Sequence, residues 1–248
     1  MVLEPEGVPR RLGMIALASD LTSERDASLV IPCERAVVHV TRVANENPTT
    51  PENLRKMEPR LTAAADTLAP GVALGGIYYS CTAASVTIGE EAVTASIEKV
   101  RPGIPVVTPT SAAVQAFAAL GVRRIALLTP YLIETTAPMV DYFTRRGLDL
   151  VSAQCLGFED DRVMARISAD SIEAAAVAAD CPDAEALFVS CTALPVLAVI
   201  DRLERRLGKP VVSSNQAGFW RLLRHGGVAP KNRAPGRLFR VAPLEACA

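Results

Sequence analysis

The 248-residue chain is predicted to be an α/β protein made of two similar halves with parallel sheets, and three observations lead there. Ser80-Cys81-Thr82-Ala83 recurs letter for letter as Ser190-Cys191-Thr192-Ala193. Flanking landmarks recur in the same order. Arg10-Arg11-Leu12-Gly13-Met14-Ile15 resembles Arg123-Arg124-Ile125-Ala126-Leu127-Leu128, and Gly103-Ile104-Pro105-Val106-Val107 resembles Gly208-Lys209-Pro210-Val211-Val212. Ordered self-similarity of this kind marks a duplicated structural unit. Finally, short apolar runs alternate with helix-like stretches, a pattern that builds parallel sheets.

In the first half, an apolar strand over residues 14–18 ends in the polar loop Ser19-Asp20-Leu21-Thr22-Ser23-Glu24-Arg25-Asp26. A Val-rich alternating strand covers residues 37–43. The following loop ends in a helix start: Thr50 can cap, Pro51 suits the first helical position and Glu52 complements the helix dipole. The spacing predicts a helix over 54–68, stopped by Pro70-Gly71, then a strand over 77–79 leading to Cys81. Thr82 opens a helix to about residue 99, ended by Arg101-Pro102-Gly103.

The second half repeats this grammar. A strand over 125–128 reaches Thr129-Pro130-Tyr131-Leu132, and a helix over 137–146 stops at Gly147. A strand over 149–153 leads into Gly157-Phe158-Glu159-Asp160-Asp161, followed by a helix over 171–179. A strand over 187–189, Cys191, a helix over 194–207 and a strand over 211–212 complete the repeat. A last helix over 215–223 is expected to cross back to the first half. The expected domains are residues 1–112 plus 218–248, and residues 113–217.

Half the residues are hydrophobic, enough for two cores, and the net charge of −1 creates no field that draws nucleic acid or anionic membrane. The sparse basic stretch 231–240 reads as a solvated segment packed on the surface. The first residues lack a basic stretch followed by an apolar core, and no apolar run approaches the ~18 residues of a membrane span. Six cysteines without tight spacing indicate free thiols in a reducing cytoplasm rather than a disulfide framework. There is no C-x-x-C pair, and His39 and His225 lie far from the repeat, so no metal is expected. Cys33, Cys155 and Cys181 read as small buried hydrophobes, and Cys247 as a tail residue.

Parallel sheets gather ligands at the carboxyl ends of their strands. That rule places Asp20, Cys81, Tyr131, Asp161 and Cys191 together. Each cysteine precedes a predicted helix, whose N-terminus would stabilise a thiolate and lower the thiol pKa. The amides of Thr82-Ala83 and Thr192-Ala193 could hold a carboxylate. One thiolate could then remove a proton beside that carboxylate while the other thiol returns one on the opposite face, without a cofactor. Alternatively, one thiolate attacks an electron-poor double bond and the other cysteine supplies the proton. Tyr131 is open between donor and packing residue, and Asn47-Pro48-Thr49-Thr50-Pro51 between cleft wall and rigid loop.

The two Cys-Thr loops, the run from Arg123 to Tyr131 and Gly157-Phe158-Glu159-Asp160-Asp161 resemble the aspartate/glutamate/hydantoin racemase superfamily. Within it they resemble the maleate cis–trans isomerase and arylmalonate decarboxylase branch, over most of residues 11–225. Residues 47–57, Cys81-Thr82-Ala83-Ala84-Ser85 and Ser213-Ser214-Asn215-Gln216-Ala217 are similar to the ectoine utilisation family of that branch. The resemblance implies two Rossmann-like (flavodoxin-like) domains related by a pseudo-twofold, with the site between them. It makes Cys81 the nucleophile, Cys191 the proton donor and Tyr131 a substrate-binding residue.

Two substrate-binding asparagines of that branch fall at Asp20 and Asp161, with Asp160 the alternative if the match slips by one. An asparagine offers donors, whereas an ionised aspartate offers only acceptors. Two aspartates would repel a dianion such as maleate and accept a nitrogen group. The expected function is a cofactor-independent racemase or isomerase of a small nitrogen-bearing carboxylic acid, as in ectoine or hydroxyectoine breakdown. A maleate-type isomerase working through a Cys81 adduct and a catalytically inactive small-molecule-binding protein are the alternatives. The expected partner is the carboxylic-acid substrate, not nucleic acid or membrane; a homo-oligomer is left open.

Overall fold

The computed structural model describes residues 7–241; Cys247 lies outside them. Among the described residues, the first half runs β1 (Arg10–Leu17), α1 (Ser23–Val30), β2 (Ala36–Val43), α2 (Pro51–Arg55), α3 (Glu58–Asp66), β3 (Ile77–Ser80), α4 (Thr82–Thr87), α5 (Glu90–Glu98), β4 (Val106–Val107) and α6 (Pro109–Leu120). The second half runs β5 (Arg124–Thr129), α7 (Ile133–Arg145), β6 (Asp149–Cys155), α8 (Asp161–Met164), α9 (Ala169–Ala179), β7 (Ala186–Val189), α10 (Ile200–Leu207), β8 (Val211–Ser213) and α11 (Ser214–Gly226). A 3-10 turn, Arg237–Arg240, follows.

The strands form two four-stranded parallel sheets with the same order, β2-β1-β3-β4 and β6-β5-β7-β8. Each half is therefore the same Rossmann-like unit, as the repeat predicts. Burial follows position in the sheet. The inner strands β3 and β7 are buried along their whole length, and β1 and β5 nearly so, because helices cover both faces. The edge strands β2 and β6 are only half covered. No helix of the described residues is long and apolar enough to cross a membrane.

Several expected elements take a different form. The loop expected over 19–26 contains the start of α1, whose polar composition hides a helix with Ala27 and Val30 on its buried side. Helix α6 was not anticipated, although Thr108 caps it, Pro109 opens it and Gly121 closes it at φ 70°. The helix expected over 54–68 is two helices, because Pro59 cannot donate a backbone hydrogen bond in mid-helix. Gly89, at φ 95°, divides the helix expected to reach residue 99 into α4 and α5. Helix α7 begins at Ile133 rather than at residue 137.

The largest difference follows Cys191. The helix expected from residue 194 starts only at Ile200. In the first half, Ser85 N–H donates to the Cys81 carbonyl at 3.1 Å and closes the first turn of α4. The equivalent donor in the second half is Pro195, which has no N–H, so the turn cannot close.

Helix α11 leaves β8 of the second sheet and packs against β1, β3 and β4 of the first, beside α1 and α6. Gly218 permits this close seat: a Cβ there would lie 2.3 Å from the Tyr78 ring. The next residue, Phe219, stacks edge-on against Tyr78 with centroids 5.2 Å apart. The cysteines read as buried hydrophobes are not: Cys33 is exposed, and Cys155 and Cys181 are half-buried. Cys155 ends an edge strand, which has no neighbour on its outer side to cover it.

Candidate active site

In each sheet the strand order reverses between two inner strands, β1 and β3 in one and β5 and β7 in the other. Such switch points open a crevice at the carboxyl ends of the strands. Hydrogen bonds tie the two crevices together. Thr22 Oγ1 donates to the Ala193 carbonyl at 2.6 Å, and Thr192 Oγ1 donates to the Ser80 carbonyl at 3.1 Å. Thr82 Oγ1 donates to Ser214 Oγ at 2.8 Å. The 45–50 loop crosses the same seam: Thr49 N–H donates to the Glu159 carbonyl at 2.9 Å, and Thr135 Oγ1 donates to the Thr49 carbonyl at 2.8 Å.

Cys81 and Cys191 lie in this seam, each about 5% exposed or less, and close enough to Asp161 for its charge to act on both. Cys81 caps α4 in an extended conformation, with the Ala84 amide placed to favour a thiolate there. Cys191 has φ 92°, where a side chain is strained, and the amides of Ala193 and Leu194 donate to its sulfur. The Tyr131 hydroxyl also hydrogen-bonds that sulfur, and Cys191 Sγ meets Met164 Sδ at 3.9 Å.

Burial overturns the expected lowering of the thiol pKa values. Burial, and then the charge of Asp161, push the Cys191 thiol up to about 12 and the Cys81 thiol well above its usual range. The amides, and for Cys191 Tyr131, pull the other way but are outweighed. Helix-end stabilisation is strongest where solvent reaches the sulfur, and both sulfurs are buried.

The predicted substrate contacts divide. Asp161 opens α8 and is 4% exposed; its Oδ2 accepts from Ser19 Oγ at 3.1 Å and Asn45 Nδ2 at 3.2 Å. Burial, opposed by the Ser19 hydrogen bond, raises its pKa to about 6. Asp160 instead caps α8 through the Arg162 amide at 2.8 Å and pairs with the Arg162 side chain, so Asp161 is the carboxylate beside the thiols. Asp20 uses Oδ1 to cap the Thr22 and Ser23 amides at 2.8 and 2.9 Å. Its Oδ2 is buried and has no hydrogen-bond partner among the described residues. Ala83 and Ala193 are buried beside their cysteines, while the hydroxyls of Thr82 and Thr192 peg the two loops to each other's halves.

Ser19, Asn45, Asp26 and Asn215 belong to this cluster but were missed. Ser19 and Asn45 follow the carboxyl ends of β1 and β2, so the rule that placed Asp20 there reaches them too. Among the described residues, no three His, Cys, Asp or Glu side chains form a metal-binding group. A cavity of about 840 Å³ lined by Trp220, Arg224, His225 and Phe239 contains neither cysteine of the repeat and neither Asp20 nor Asp161.

The chain matches known proteins of one family in sequence and fold. The family model for arylmalonate decarboxylase matches residues 59–239. The chain is 36% identical to the arylmalonate decarboxylase of Bordetella bronchiseptica over 55% of its own length, an alignment spanning only 58% of that protein. It is 27% identical to the maleate isomerase of Nocardia farcinica over 93% of this chain and 96% of that one. A solved structure of N. farcinica maleate cis–trans isomerase is similar with a TM-score of 0.84, at 26% identity, over 94% of this chain and 99% of that one. That structure is a cysteine-to-serine mutant with a covalently bound succinylcysteine intermediate.

Proposed function

We propose that this chain, which belongs to the arylmalonate decarboxylase family within the maleate isomerase branch of the Asp/Glu racemase superfamily, is a cofactor-independent isomerase that inverts a small nitrogen-bearing carboxylic acid. The observation that carries this reading is the grouping of two buried thiols with two buried carboxylates, Asp20 and Asp161.

The substrate carboxylate is held by the amides that now face the sulfurs, at Ala84, Ala193 and Leu194. The nitrogen group seats against Asp161 and the unpaired Oδ2 of Asp20. A cationic nitrogen there offsets the charge that helps keep both thiols protonated, so one thiol releases its proton to solvent and becomes a thiolate only as substrate binds. That thiolate takes the proton from the carbon beside the carboxylate and becomes a thiol. The resulting enolate is protonated on its other face by the opposing thiol, which becomes the thiolate. One proton is removed and one returned, and the product is the mirror configuration. Acids of ectoine and hydroxyectoine breakdown carry both a carboxylate and nitrogen groups, and residues 47–57 and 213–217 support that substrate class through their resemblance to the ectoine utilisation family.

A second reading is maleate-type isomerisation through a Cys81 adduct. It is favoured by full-length similarity to maleate isomerases, one of which is seen with a succinylated cysteine. Incubation with a panel of chiral ectoine-pathway acids and with maleate in deuterated water separates the two. Deuterium entering beside the carboxylate of a nitrogen-bearing acid, with inversion on chiral chromatography, supports the first reading. Fumarate formation from maleate with no such exchange rejects it in favour of the second.

A further inference from the structure

Behind the thiols lies a buried polar network that the proton transfer does not use. Asn215, at the start of α11, is 1% exposed and spends all four of its hydrogen-bonding positions. Its Nδ2 donates to Asp26 Oδ2 and to the Thr192 carbonyl, both at 2.9 Å. Its Oδ1 accepts from Ser23 Oγ at 3.3 Å and from the Tyr78 hydroxyl at 3.2 Å. Ser23 Oγ in turn lies 2.7 Å from Ser80 Oγ, next to Cys81. Two acceptors on one side and two donors on the other fix the amide in one orientation, since the flipped amide would set its oxygen against a carboxylate and a carbonyl.

This network joins the two cysteine loops from behind. Thr192 follows Cys191, so the grip on its carbonyl restrains the residue held at φ 92°. Strain of that kind persists only when its surroundings over-determine it. Asp26 is 1% exposed and accepts from Asn215, while Arg25 and Asp20 act on it through their charges. Burying a carboxylate is costly, and a neutral acceptor would satisfy one amide hydrogen at less cost. Burial accordingly raises the Asp26 pKa to about 7, so what Asp26 adds in either protonation state is a fixed acceptor for the group that grips Thr192.

We infer that Asp26 and Asn215 are positioning residues: they form a latch that holds the Cys191 loop against the Ser80-Cys81 strand end and so sets how the two sulfurs face each other. The catalytic consequence rests on the function proposed above, but the latch itself can be tested without any substrate. Iodoacetamide labelling, read by mass spectrometry at each cysteine, reports how well each sulfur is held.

In Asp26→Ala and Asn215→Ala, Cys81 and Cys191 should be alkylated about tenfold faster than in the wild type, roughly the effect of leaving a buried hydrogen-bond partner unsatisfied. Cys155 and Cys181 should be unchanged. Asp26→Asn keeps an acceptor for the Asn215 amide and should restore most of the protection. Unchanged labelling of Cys81 and Cys191 in folded alanine variants would overturn the latch. So would an equal rise at all four cysteines, which reports general loosening, or an Asp26→Asn variant as fast as Asp26→Ala. If the alanine variants do not fold, Ser23→Ala decides: it removes one hydroxyl from the network and should raise labelling at Cys81 and Cys191 by a few-fold, with no change refuting the latch. A failed substrate panel would leave these results standing.

Discussion

The same four residues build two different loops. Ser80-Cys81-Thr82-Ala83 passes directly into α4, with Cys81 in ordinary extended geometry at the helix cap. Ser190-Cys191-Thr192-Ala193 meets Pro195, forms no helix before Ile200, and holds Cys191 at φ 92°. The Ala84 amide favours a thiolate at Cys81, whereas the Ala193 and Leu194 amides and the Tyr131 hydroxyl favour one at Cys191. The loops that flank the thiols differ as well. The segment after β1 supplies Asp20 and Asp26, and the segment after β5 supplies Tyr131 and Thr135. Duplication thus gave two thiols, and divergence around them gave two environments. A thiol with three donors is the easier one to ionise, so the pair is prepared for unequal roles at rest.

The largest expected effect tests whether both thiols are needed. Cys81→Ser and Cys191→Ser should each lower interconversion by about 10²-fold or more, the usual scale for losing a general acid or base. Each variant should still exchange the substrate proton on the face served by its surviving thiol, followed by proton NMR in deuterated water. A serine variant that inverts its substrate at near the wild-type rate removes that cysteine from the mechanism.

The next effect is on stability and comes from the acidic side of the comparison. Burial raises Asp26 from 3.8 to about 7 and Asp161 from 3.8 to about 6. The folded protein therefore holds protons that the unfolded chain releases above about pH 4. The stabilisation is fully present below that pH and is lost as pH rises through about 6 and then about 7. For Asp26 the difference amounts to roughly 4 kcal/mol as an upper figure. Melting temperatures should fall between pH 5 and pH 8, and Asp26→Asn should flatten the part of that slope near pH 7. An identical slope in the variant would mean that Asp26 is not protonated in the folded state.

Much of this asymmetry was legible in the chain, though not all of it was predicted. The repeated tetrapeptide located both thiols, because a strand end followed by a turn is a local feature that sequence encodes directly. Pro195 was a visible reason for the second helix to fail, but the apolar residues from Leu194 onward imitate a buried helix. The thiol pKa values went the wrong way because desolvation depends on how tightly two loops from distant sequence close over a sulfur. The Asp26–Asn215 contact joins residues far apart in the chain and leaves no periodic trace. The polar segment holding Asp26 looks like a solvated loop until α11 is packed on it.

A third, intermediate effect concerns the two carboxylates. Replacing Asp20 and Asp161 together by asparagine removes negative charge beside both thiols and supplies amide donors. A lost charge-assisted hydrogen bond is worth roughly 1.5–3 kcal/mol, so binding of a nitrogen-bearing acid should weaken about tenfold or more. Maleate should bind better, because a repulsive element is gone. Both thiols should also become easier to ionise. Calorimetric titration of both ligands into wild type and variant tests the pair together. If neither affinity moves, the carboxylates serve only as caps and loop ties, the part Asp20 Oδ1 already plays for the Thr22 and Ser23 amides.

The smallest effect is the most direct test of inequality between the thiols. Tyr131 is 2% exposed, and its hydroxyl acts on the Cys191 thiol through a hydrogen bond. Tyr131→Phe keeps the ring that fills this buried position and removes only the donor. A hydrogen bond to an ionised group contributes about 1.5–3 kcal/mol, and part of that is already offset because the neutral thiol also interacts with the phenol. The Cys191 thiol should therefore move further up by about one unit or less, which is up to about tenfold in thiolate fraction at a fixed pH. Cys81 should stay where it is, because the phenol is uncharged and its hydrogen bond goes to the other sulfur. Alkylation of each cysteine followed against pH gives the two ionisations separately. In the wild type Cys191 should ionise first; in Tyr131→Phe the gap should narrow. If both thiols shift equally, the phenol acts by shaping the cleft, and the difference between the loops lies in the backbone at Cys191 alone.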